Sequence, residues 1–166
     1  RVRAGFTEGN VLYRTLERFP GQVTWRVLEP GREAPLAGAD GRASGLLIEA
    51  AALAGKQPIH LEHHGSGDPR DNVGLTIREA ATGKRLAYFP AAGALTADVR
   101  RALGEADCVF FDGTFWSSDE LPARGLGTKR AEDMAHLPVG GALGSLTALQ
   151  GLAAGRRIYI HINNTN

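Results

Sequence analysis

Cysteine is almost absent from this sequence, which has a single one, Cys108, among 166 residues. One thiol can form neither an internal disulfide framework nor a cysteine-rich zinc cluster. Long apolar runs are missing as well, so we expect no transmembrane helix. Arg1–Asn10 lacks the apolar core of a secretory signal, and this favours a cytoplasmic protein.

An excess of one charge sign is also missing. Nineteen Lys and Arg residues face 18 Asp and Glu residues, for a formal net charge of +1, and no long basic run is present. Nucleic acid is therefore disfavoured as the main partner. Glycine is abundant instead, with 22 of 166 residues against an average usage of roughly 7%. We expect many turns and closely packed backbone segments in an ordinary globular chain.

The first half of the chain carries short periodic segments. The spacing of apolar residues predicts a helix over Asn10–Phe19. Alternation of apolar and polar residues then predicts a strand over Gln22–Leu28. The turn-rich Pro30–Arg42 segment indicates a loop, and Leu46–Leu53 favours a strand, although its alanines leave a helix open.

The second half predicts an α/β arrangement with parallel crossovers. We expect a hairpin of Val73–Arg78 with Lys84–Phe89, followed by a helix that begins after Thr96. A strand over Cys108–Phe111, a helix over Ala142–Ala153 and a strand over Ile158–Ile160 are expected to follow. The long connection Gly113–Leu137 is expected to be irregular.

Two of the predicted buried strands end on side chains that can bind metal. Asp112 follows Phe110-Phe111, and His161 follows Tyr159-Ile160. Ligands bind beyond the carboxyl ends of strands in open α/β sheets, and carboxylate and imidazole are common zinc and iron ligands. On spacing alone, an Asp-Gly turn and an ordinary core histidine are the favoured alternatives.

Other candidate residues lie in loops. His136, in the connection between those strands, is a candidate acid or base, with an exposed loop histidine as the equal alternative. Trp116 is a packing residue by default but lies near Asp112 in sequence, where it could line a pocket. The cluster of His60, His63 and His64 lies in a Gly- and Pro-containing loop without preorganised ligand spacing, so we do not favour it as a metal site.

Five segments occur together in an order typical of one family: Asp71–Leu75, Phe111–Trp116, Gly125–Lys129, Asp133–Pro138 and Ile160–Asn166. On these segments the chain resembles the PqqB family of pyrroloquinoline quinone (PQQ) biosynthesis, from about Val11 onward. That family has the metallo-β-lactamase fold, an αββα sandwich. The resemblance implies that residues 1–166 are the C-terminal part of a single domain of this kind, truncated at both ends.

The resemblance also implies roles for individual residues. His161 and Asp112 match metal ligands, and His136 matches the histidine of an Asp-Met-Gly-His-Leu-Pro motif, with a role either in proton transfer or in supporting the metal ligands. Ala135 stands where that motif has glycine, and we expect the histidine to keep its place. Trp116, Asn163 and Asn164 are the expected substrate-binding residues. The family's upstream Asp-His metal motif and its Cys-x-Cys-x-x-Cys zinc site have no match here, so we expect weak or no stoichiometric metal binding by this chain alone.

The resemblance implies an enzyme of PQQ biosynthesis. The expected activity is an oxygen-dependent hydroxylation, supported by Fe(II), of the tyrosine-derived ring in a small precursor with crosslinked Glu and Tyr. A zinc-dependent hydrolase of the same fold and a non-catalytic carrier of PQQ or its precursor remain the alternatives. A homodimer is left open.

Overall fold

The computed structural model describes residues 18–19, 21, 23–55, 68 and 70–165. In this part of the chain, six strands form one mixed sheet whose spatial order follows the sequence. They are β1 (Ala34–Ala37), β2 (Ala43–Ala52), β3 (Val73–Glu79), β4 (Arg85–Phe89), β5 (Cys108–Asp112) and β6 (Arg156–Ile160). Strands β1 to β4 pair antiparallel, whereas β4, β5 and β6 are parallel. The predicted hairpin and the parallel crossovers are confirmed.

Three α-helices and one 3-10 helix lie in the same part of the chain. They are α1 (Ala97–Gly104), α2 (Glu120–Ala123), the 3-10 helix (Glu132–Met134) and α3 (Ser145–Gln150). Helix α1 begins as predicted, because the Thr96 side chain accepts the Val99 N–H at 3.3 Å and caps the first turn. Helix α3 is shorter than predicted, because Gly144 before it has an extended backbone.

The core lies between one face of the sheet and helices α1 and α3. Its buried members come from β4, β5, both helices and their connections, and include Ala87, Phe89, Val99, Leu103, Val109, Phe111 and Leu149. Phe111 and Tyr159 pack edge to face, with ring centroids 6.3 Å apart. Gly74 lets the Phe89 ring approach the sheet, since a Cβ there would lie 2.3 Å from that ring.

Three sequence predictions need correction. Residues 23–29 form no strand, and Val27 is 86% exposed, because alternation alone does not supply a pairing partner. The predicted loop Pro30–Arg42 contains β1, an edge strand whose Pro35 is tolerated at an edge. The connection Gly113–Leu137 contains α2 and the 3-10 helix. The predicted Asn10–Phe19 helix, apart from its last two residues, lies outside the described residues.

The three parallel strands have two contrasting ends. We call one end the carboxyl edge. It comprises Asp112, the last residue of β5, and the residues directly after β4 and β6, which are Pro90 and His161. The opposite amino edge comprises Lys84 and Asp107, which precede β4 and β5. Among the described residues, no helix has the length and apolarity needed to cross a membrane.

A candidate metal centre at the carboxyl edge

Asp112 is the last residue of β5 and is fully buried. Its Oδ1 accepts the backbone N–H and the hydroxyl of Thr114, at 3.1 and 2.6 Å. Its Oδ2 accepts the Ala92 N–H at 3.2 Å and lies 2.7 Å from His136 Nδ1. An ionised carboxylate has about four lone-pair sites, so these contacts compensate the burial of its charge.

His136 reaches Asp112 from the long connection between β5 and β6. The chain turns sharply just before it, because Ala135 ends the 3-10 helix with a left-handed backbone at φ 65°. Its ring also packs against Phe115, edge to face at 5.8 Å between centroids. Only 14% of the His136 side chain is exposed. The histidine is therefore held in place, as expected despite alanine at position 135.

His161 follows β6 and is the most exposed member of the group, with 58% of its side chain accessible. Its backbone is also left-handed, at φ 60°, which a non-glycine residue adopts only at an energetic cost. Its Nδ1 lies 2.9 Å from Thr114 Oγ1, 3.1 Å from Pro90 O and 3.9 Å from Asp112 Oδ1. The His161 and His136 rings are 5.6 Å apart between centroids.

Asp112, His136 and His161 together form a cluster in which one potential ligand atom from each residue lies within 4.8 Å of those from the other two. Two imidazoles and a carboxylate are donors that both zinc and non-haem iron accept. The cluster therefore fits such an ion in donor type and spacing. In the described geometry Asp112 is fully engaged by hydrogen bonds, and carboxylates in this position commonly orient the histidine ligands. The individual ligand and proton-transfer roles stay predictions.

Two of the three predicted substrate-binding residues, Trp116 and Asn163, lie next to segments that carry the cluster. Trp116 is 58% exposed and lines an open groove of about 550 Å³ with Leu137 and Pro138. The Asn163 backbone N–H donates to Thr114 O at 3.2 Å, and Asn164 is exposed. The structure thus places Trp116 and Asn163 next to the segment that carries the cluster.

Sequence reasoning missed two polar residues that organise this end of the sheet. Thr114 contacts both Asp112 and His161. The signal was present, because an aspartate that binds the N–H two residues later is a common local turn. Buried Glu120 accepts the Trp116 N–H at 2.8 Å and the Thr165 hydroxyl, and nothing in its sequence spacing indicates this. The histidines His60, His63 and His64 lie outside the described residues.

The comparisons with known proteins bear on the same segments. A family model described as a beta-lactamase superfamily domain matches residues 1–162. The chain belongs to the beta-lactamase superfamily. It is 36% identical to coenzyme PQQ synthesis protein B from Nitrosococcus oceani over 99% of this chain and 54% of that protein. The counterpart from Azotobacter vinelandii is also 36% identical, over 99% and 53%. The chain thus spans about half the length of these curated relatives.

A solved structure supports the same relationship. The chain matches a Zn2+-bound PqqB from Methylobacterium extorquens with a TM-score of 0.65 and 36% sequence identity, over 74% of this chain and 41% of that one. The predicted resemblance to PqqB and the expected metallo-β-lactamase-like fold are confirmed. The bound zinc is a feature of the Methylobacterium extorquens structure.

Proposed function

We propose that this chain acts in PQQ biosynthesis as part of a PqqB-like protein. We further propose that its Asp112, His136 and His161 cluster serves the metal-dependent hydroxylation of the tyrosine-derived ring of the precursor. The observation that carries the proposal is the convergence of these three side chains at the carboxyl edge. It occurs in a chain similar to PQQ synthesis protein B over nearly its whole length.

The donor set supports Fe(II), with zinc as the alternative metal. Imidazole and carboxylate, the side-chain groups of His161 and Asp112, are ligands that non-haem iron oxygenases use, whereas His136 is proposed for proton transfer. When bound, iron would supply the redox chemistry between molecular oxygen and a phenol-like ring. In the overall reaction, one oxygen atom replaces a ring hydrogen as a hydroxyl group. The other oxygen atom leaves as water, with two protons and two electrons from a small organic reductant such as a thiol.

His136 is suited to proton transfer in this reaction. Its Nδ1 faces the buried Asp112 carboxylate at 2.7 Å, so that carboxylate stabilises the imidazolium formed when the other ring nitrogen accepts a proton. Contact with Phe115 and low exposure keep the ring in one orientation. Asp112 therefore serves as the group that orients and electrostatically supports His136.

The groove beside Trp116 supports binding of an aromatic precursor. Its lining is mainly apolar and includes the exposed indole and Leu137, the residue directly after His136. An aromatic ring can stack on such a surface, while the amides of Asn163 and Asn164 offer hydrogen bonds to carboxylates. This arrangement would place the reacting ring near the cluster.

The test is anaerobic reconstitution with Fe(II) of the protein that carries this sequence, followed by addition of precursor, reductant and oxygen. We expect oxygen uptake matched by a hydroxylated ring product. His161→Ala and His136→Ala should abolish both, whereas Lys84→Met at the amino edge should leave them unchanged. Turnover in zinc without oxygen uptake would contradict the hydroxylase proposal.

A zinc-dependent hydrolase is the second candidate, because the similar PqqB structure is described as Zn2+-bound. In that case the zinc-loaded protein would cleave model phosphodiesters, and the same two histidine substitutions would remove that activity. In a PQQ-producing bacterium, unchanged PQQ formation by the His161→Ala protein would instead favour a carrier.

A further inference from the structure

Thr114 lies between two members of the cluster without belonging to it. It is 8% exposed and is the second residue after the end of β5. Its hydroxyl lies 2.6 Å from Asp112 Oδ1 and 2.9 Å from His161 Nδ1. A single hydroxyl group thus connects the buried carboxylate to the exposed histidine.

The direction of these hydrogen bonds follows from which atoms have protons to donate. A hydroxyl has one proton, and Asp112 Oδ1 already accepts the Thr114 backbone N–H, so the carboxylate acts as an acceptor and takes the hydroxyl proton. The Thr114 oxygen must then accept from His161. The Pro90 carbonyl, 3.1 Å from the same Nδ1, can only accept and therefore requires the same direction. His161 Nδ1 carries the proton.

The same reasoning applies to His136 without an intermediary. Its Nδ1 faces Asp112 Oδ2 at 2.7 Å, and a carboxylate that accepts the Ala92 N–H on this oxygen accepts from the imidazole too. Both neutral rings therefore have their lone pair on Nε2. Asp112 sets one ring directly and the other through Thr114.

We propose that Thr114 is a positioning residue that fixes the Nδ1–H tautomer and the orientation of His161. The left-handed backbone of His161 at φ 60° adds to the need for such a contact, because its strain must be offset by neighbouring interactions. The consequence for metal binding rests on the proposed function, since Nε2 is then the nitrogen offered to an ion. The tautomer itself can be measured without any metal.

The test is nitrogen-15 NMR of the histidine side chains in metal-free protein at pH 9, where histidine is ordinarily neutral. We expect His161 Nδ1 to be protonated in the wild type and in Thr114→Ser, which keeps the hydroxyl. In Thr114→Val, which keeps the shape but not the hydroxyl, the Nδ1–H share of His161 should decrease, because only the longer contact with Pro90 O remains. His136 should stay unchanged in all three proteins and serves as the internal control.

Two results would overturn the proposal. One is a wild-type His161 with its proton on Nε2, which decides the question even if Thr114→Val fails to fold. The other is a folded Thr114→Val protein whose His161 keeps the pure Nδ1–H tautomer, since Pro90 alone would then fix it.

A Zn2+ titration separates the two proposals. We expect Thr114→Val to raise the apparent Kd by about 10-fold and Thr114→Ser to leave it unchanged. The absence of zinc or iron binding in the wild-type form of the protein that carries this sequence would contradict the metal role of the cluster while leaving the tautomer result valid. Equal Zn2+ affinity in wild type and Thr114→Val would contradict the positioning role.

Discussion

The two edges of the parallel strands place an aspartate in opposite environments, one exposed and one buried. At the amino edge, Asp107 pairs with the Lys84 ammonium at 2.6 Å and accepts the Arg85 N–H at 2.8 Å, with both side chains exposed. At the carboxyl edge, Asp112 is fully buried and is compensated by neutral donors and a histidine. The first aspartate secures a connection between strands, whereas the second organises a site. Burial and the partner group, not the residue type, separate these two roles.

The largest effect that this contrast predicts is on the free energy of unfolding when each aspartate is replaced by asparagine. Asp112→Asn should destabilise the protein by about 3 kcal/mol or more, because an amide group must face at least one N–H donor that now lacks an acceptor. The matched substitution Asp107→Asn should cost much less, since water replaces the lost contacts. Urea unfolding of both variants measures the difference. Equal losses would show that the two edges are not distinct.

A smaller effect of opposite sign is expected at Ala135. Its left-handed backbone, φ 65°, is strained for alanine, so Ala135→Gly should stabilise the protein by about 0.5 kcal/mol net of the flexibility that glycine adds to the unfolded chain. The control is Ala131→Gly, at φ −55° on the other side of the same 3-10 helix, which should destabilise by about 1 kcal/mol. Thermal unfolding that ranks the two variants the other way would argue against the turn that delivers His136.

The smallest effect concerns the amino edge and depends on pH. The hydrogen bond from Lys84, followed by the Arg85 N–H, lowers the pKa of Asp107, and the same contact with Asp107 raises the pKa of Lys84. The stabilisation by this pair is therefore complete between the ordinary Asp and Lys values, about 4 and 10. It falls as the pH drops through the lowered pKa of Asp107 or rises through the raised pKa of Lys84.

Lys84→Met should remove the pH-dependent stabilisation by the Lys84 and Asp107 pair. Its unfolding midpoint should lie slightly below that of the wild type at pH 7 and approach it at both pH extremes. A difference in unfolding midpoint between wild type and Lys84→Met that grows in acid would contradict the assigned pairing, because the pair is expected to lose its stabilisation there.

The sequence allowed the frame of the site to be predicted but not its internal contacts. Asp112 and His161 were predictable because each follows an apolar run, and neighbouring parallel strands bring their carboxyl ends together. His136 is 24 positions from Asp112 in sequence, and its placement depends on the turn at Ala135, which no local pattern indicates. The left-handed backbone of His161 could not be predicted, since only a small minority of non-glycine residues adopt it.

The errors in the fold have a common physical cause. Val23 to Leu28 alternates like a strand, yet a strand also needs a partner, and pairing is a tertiary property. Strand β1 was missed because four residues that include Pro35 give too short a pattern. By contrast, β3 and β4 were predicted well, because a turn of the right composition joins two adjacent apolar segments and makes their pairing local.

The central claim, that the cluster of Asp112, His136 and His161 holds a metal, is tested most directly by anaerobic calorimetric titration with Fe(II) and with Zn2+. The wild type, His136→Ala, His161→Ala and the triple variant of His60, His63 and His64 should be compared. We predict weak binding by the wild type, lost in His136→Ala and His161→Ala and retained in the triple variant. Tight one-to-one binding that survives both His136→Ala and His161→Ala and disappears in the triple variant would contradict the claim.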